Sequence, residues 1–82
     1  MRRNSKREAF ALNAIRLVLD LLASLPDSTE RADAIRDAHA CEHEVKHWST
    51  APPTDADRAG MMRRVLTLHL IAAKLRRAAH RP

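Results

Sequence analysis

The chain has 82 residues, with 15 Lys and Arg against 10 Asp and Glu, a single cysteine, one glycine and no tyrosine. That length holds one domain and is short for a self-sufficient core, which small chains usually reinforce with disulfides, a metal or oligomerisation. Cys41 has no partner, so an internal disulfide is excluded, and the composition is that of an all-helical protein in a reducing, cytoplasmic setting.

Residues 1–4 read as a short basic tail. Ser5-Lys6-Arg7-Glu8 is a capping-box pattern that opens a first helix over 5–25. Within Phe10–Ser24 only Asn13, Arg16, Asp20 and Ser24 are polar. At about 100° per residue these four share an arc of roughly 80°, so about three-quarters of the circumference is apolar. A central strip (Ala11, Ile15, Val18, Leu22, Leu25) is bordered by two flanks. One is Phe10, Leu17 and Leu21; the other is Leu12, Leu19 and Ala23. The polar interruptions argue against a signal peptide or a membrane span, so no membrane partner is expected.

Leu25-Pro26 ends this helix, and Asp27-Ser28-Thr29-Glu30 caps a second over 28–48. The short loop makes the pair an antiparallel hairpin. The second helix offers a narrow stripe of Ala34, Ile35, Ala38, Cys41, Val45 and Trp48, whose small members permit close approach. After Pro52-Pro53, Thr54-Asp55-Ala56-Asp57 opens a third helix over 55–79, leaving 80–82 as a C-terminal tail. Met61, Val65, Leu68, Ala72, Leu75 and Ala79 recur in alternating steps of four and three, the spacing of a bundle seam. Met62, Leu66, Leu70 and Ala73 make a second apolar row. The predicted architecture is a three-helix antiparallel bundle, completed by self-association as a homodimer.

Three functional patterns compete. The first is surplus apolar surface: if the second and third helices cover the strip and one flank, the other flank remains to dock. That predicts a partner-binding patch of Leu12, Leu19, Ala23, Met62, Leu66 and Leu70 on a basic interaction or regulatory module with a protein partner. The second is a basic sector on the third helix, Arg63, Lys74, Arg77 and Arg81, able to contact phosphates of a nucleic acid. Phe10 and Trp48 are the only aromatics, too few for a base-stacking platform.

The third pattern is chemical. His43-Glu44-Val45-Lys46-His47 matches H-E-x-x-H, with His39 one turn upstream. On a helix the i,i+4 imidazoles share a face and can ligate zinc, with the glutamate as general base. These five residues resemble the zinc-binding helix of zincin metalloproteases, and Glu44-Val45-Lys46-His47 also resembles the Glu-x-x-His of ferritin-like di-iron bundles. Zinc or iron at His39, His43, Glu44 and His47 would make a metal-binding bundle. The three histidines lie well over 100° from the middle of the buried stripe, however. The expected state is therefore a non-enzyme without a cofactor.

Overall fold

A computed structural model describes the backbone of residues 5–80 and contains three helices: α1 (Ser5–Ala23), α2 (Thr29–His47) and α3 (Asp55–Ala79). All three pack against one another, as the periodicity predicts. The tail residues 1–4 and 81–82 lie outside the described residues, and with them the expected contact residue Arg81. His80, assigned from sequence to the C-terminal tail, is instead the C-cap of α3. Its N–H donates to the carbonyls of Arg76 and Arg77 at 3.2 and 3.3 Å.

The helix boundaries follow from local chemistry. α1 stops at Ala23 rather than residue 25 because its last turn tightens. The N–H groups of Ser24 and Leu25 bond three residues back, to Leu21 and Leu22, and the Ser24 hydroxyl also donates to the Leu21 carbonyl at 2.8 Å. Ser28 caps α2 by accepting from the Arg31 N–H at 3.0 Å. Arg31 then reaches back, its Nε donating to the Leu22 carbonyl at 2.8 Å, which ties the hairpin loop to the end of α1. At α3, Thr54 and Asp57 form a reciprocal capping box, each side chain accepting from the other's backbone N–H at 3.0 Å. Two amides that no helical carbonyl can reach are satisfied this way.

The core lies along the line where the three helices meet. Ala11, Ile15, Val18 and Leu22 of α1 meet Ala34, Ala38, Cys41 and Val45 of α2, and Met61, Val65, Leu68 and Ala72 of α3. Trp48, just past α2, closes one end. α2 brings mostly small side chains, so the bulk of the core comes from α1 and α3. Leu25 and Leu75 pack only partly buried at its margin, and Ala79 is exposed, so both predicted strips fade toward their C-terminal ends.

The topology is up-down-up, which makes α1 and α3 parallel neighbours. Phe10 and Met62 share a hollow near their N-terminal ends, while Leu21 and Ala73 share a groove near their C-terminal ends. Between them the His69 imidazole crosses the seam. Its Nε2 lies 3.0 Å from the Ala14 carbonyl, and since a carbonyl only accepts, Nε2 carries the proton and donates. On the other side Arg64 ties α3 to α2, donating to Asp37 at 3.0 Å and Glu44 at 3.1 Å. Hydrogen bonding to Asp37, and more weakly to Glu44, holds the Arg64 guanidinium even more firmly protonated than usual, against a smaller opposing effect of burial.

Candidate docking face between helices 1 and 3

The strip on α1 has two margins, and the structure assigns each to a neighbour. Ala14 and Leu21 lie on the margin that meets α3. Leu12 and Leu19 project from the opposite margin, toward α2. They are half-buried and packed against the core. This corrects the expected patch: Leu12 and Leu19 do not belong to the open surface, and Ala23 is exposed at the end of α1 on their side. The exposed flank is Phe10 and Leu17, which lie further round the helix than the α3 contact reaches.

On α3 the second apolar row is open. Met62, Leu66 and Leu70 are exposed, with Ala73 continuing the row. Among the described residues, the five large hydrophobic side chains that stand open range from 46% exposed (Met62) to 65% exposed (Phe10), and α2 contributes none of them. The α1 and α3 rows run side by side because the helices are parallel, except that Leu70 points away from the buried stripe of α3, into the outer sector that carries Arg63 and Arg77. Phe10 and Leu17 were legible as one flank of α1, but no local signal distinguishes the covered flank from the open one.

Each end of the α1–α3 seam opens into a concavity. The N-terminal hollow, about 270 Å³, is floored by Trp48, Met61 and Ala11, walled by Phe10 and Met62, and rimmed by Lys6, Arg7 and Arg58. The C-terminal groove, about 700 Å³, runs from Leu21 and Leu25 to Arg76, Arg77 and His80. Arg58 is committed to Asp55 and to the Pro53 carbonyl. Among the described residues, Lys6, Arg7, Arg76 and Arg77 have no ion pair.

Apart from Asp55, the ion-paired acidic residues lie on α2 or just before it. Asp27 pairs with Arg31, Asp33 with Arg36, Glu42 with His39 and Lys46, and Asp37 and Glu44 share Arg64. The α2 surface is thus close to internally neutralised, while the cations at the ends of the α1–α3 face are not. Asp20, next to Leu17 by a helical turn, is the carboxylate on the outer side of α1.

The metal-ligand candidates are not gathered at one point. His39, His43 and His47 are exposed along α2, His39 sits 3.4 Å from Glu42, and Glu44 is held by Arg64. Among the described residues no three His, Cys, Asp or Glu side chains converge on a point where an ion could bind. Cys41 is on the opposite, buried side of α2, where burial pushes the thiol pKa above its ordinary 9.0 despite the lowering effect of nearby Arg64. Arg63, Lys74 and Arg77 are exposed on the outer sector of α3, none of them ion-paired among the described residues. No helix among the described residues is long and apolar enough to cross a membrane. Comparison with protein-family models, curated proteins and solved structures finds no match for the chain.

Proposed function

We propose that the chain is a protein-interaction module, regulatory in character, that docks through the face between α1 and α3. One observation carries the reading: among the described residues the five open large hydrophobic side chains all stand on α1 and α3, and concavities open at both ends of the seam between these helices. Solvating that surface costs free energy that a partner would recover, since covering one leucine-sized side chain is worth roughly 1.5–3 kcal/mol. Isolated exposed leucines need no explanation, whereas a contiguous row is the usual mark of a binding surface. Self-association would cover the same residues.

A photo-crosslinking amino acid placed at Leu66, with an exposed α2 position such as Ala40 as control, tests the proposal in cells that express the chain. Position 66 is expected to give a discrete adduct whose mass distinguishes a second copy from a different protein. Position 40 should give none, and Leu17→Asp should abolish the adduct at 66. Failure to trap anything at 66, or equal trapping at both positions, overturns the docking role.

A further inference from the structure

Resting on the docking role proposed above, we infer that the segment covering this face is an acidic amphipathic α-helix of about three turns, laid lengthwise between α1 and α3. Length is the first argument. The rows from Phe10 to Leu21 and from Met62 to Ala73 run parallel, and each rises about 16 Å. Side chains three and four residues apart form ridges, and the groove between two such helices seats a third helix by ridge-into-groove packing. The added helix completes a four-helix arrangement, the common way for helical pairs to close a shared apolar face.

Charge is the second argument, and it decides between occupants. Lys6 and Arg7 stand at one end of the face, Arg76 and Arg77 at the other, without ion-pair partners among the described residues. A second copy docked face to face sets cations against cations in either orientation, since both ends carry the same sign. The carboxylates that open α3 cannot relieve this, because Asp55 is paired with Arg58 and Asp57 caps the helix, and half of the chain's ten carboxylates stand on α2. A helix with Asp or Glu flanking its apolar stripe meets both basic ends with complementary charge.

The hollow over Trp48 is the third argument. At about 270 Å³ it falls below the ~300–1,000 Å³ typical of small-molecule sites. An anchoring side chain from a partner fits it better. Met61 and Met62 line it, and methionine adapts to the shape of an inserted group.

The test uses the full chain and two synthetic helical peptides with the same apolar stripe, one flanked by glutamates and the other by lysines. Titration is read by Trp48 emission, since this is the single tryptophan, and by amide NMR shifts. The glutamate peptide is expected to perturb Trp48, Phe10, Leu17 and Leu66, and to bind at least about tenfold more tightly than the lysine peptide at low salt. Arg7→Glu combined with Arg76→Glu should reverse that preference, with circular dichroism verifying the fold. Equal affinities, shifts confined to α2, or no binding by either peptide overturn the inference, as does a face-to-face dimer that the glutamate peptide cannot displace. Equal affinities that both vanish in Leu66→Asp would overturn the acidic partner alone and leave the docking face standing.

Discussion

Two leucines on nearly opposite sides of α3 separate the core from the proposed docking face. Leu68 is 1% exposed and Leu66 is 60% exposed. Truncating a buried leucine to alanine loses its transfer free energy and leaves a cavity, so Leu68→Ala should cost about 2–5 kcal/mol. Leu66 hides only about two-fifths of its side chain, which caps its contribution near 1 kcal/mol, and alanine's better helix propensity offsets a few tenths of that. For a domain of this size each kcal/mol moves the Tm by about 4–8 °C. Leu68→Ala should therefore lose roughly 10–40 °C, and Leu66→Ala less than about 8 °C. The assay is thermal and urea unfolding followed by far-UV circular dichroism and Trp48 emission, at several protein concentrations. Losses of similar size for both variants would refute the register of α3 on which the face is built. A Tm that climbs with concentration in the parent and not in Leu66→Ala would show that a second copy supplies the missing cover.

The corrected flank of α1 makes a second contrast: Leu19→Asp forces a carboxylate into a half-buried site and should destabilise by about 2 kcal/mol or more, whereas Leu17→Asp should fold normally. Urea midpoints of the two variants decide it. Thr54→Ala removes one half of the capping box and should cost about 0.5–2 kcal/mol, with faster amide exchange at Asp57. Arg64→Met breaks both links to α2, but all three side chains are more than a third exposed, so the loss should stay below about 1 kcal/mol and shrink further in molar salt. Cys41 should resist thiol reagents in the folded chain and react only when α2 opens. Its folded pKa is raised, so the stability tied to the neutral thiol is intact below the ordinary 9.0 and declines as pH rises through the folded value. Unfolding free energies on either side of that pH, compared with Cys41→Ala, measure the effect; an equal pH dependence in both proteins would contradict it.

Much of the fold is legible along the chain because its signals are local. Ser28 and Thr54 announce helix starts by bonding backbone amides within three residues, and those bonds are present. Ile15, Val18 and Leu22 are selected for the core by spacing alone, and all are fully buried. The same logic placed His39, His43 and His47 away from the core, where they stand exposed. The H-E-x-x-H match is legible as a pattern, yet what becomes of Glu44 depends on Arg64, twenty residues away on another helix.

Periodicity thus determines three helices, their antiparallel order and the stripe each one buries, because cap chemistry and a 3.6-residue repeat act within single elements. It does not determine on which side of the α1–α2 hairpin α3 settles, since both arrangements bury the same stripes. That choice turned one flank of α1, with Leu12 and Leu19, toward α2, and left Phe10 and Leu17 open beside Met62 and Leu66. The composition of the proposed docking face, and the pairing of its apolar rows with cations at both ends, is accordingly a property of tertiary packing.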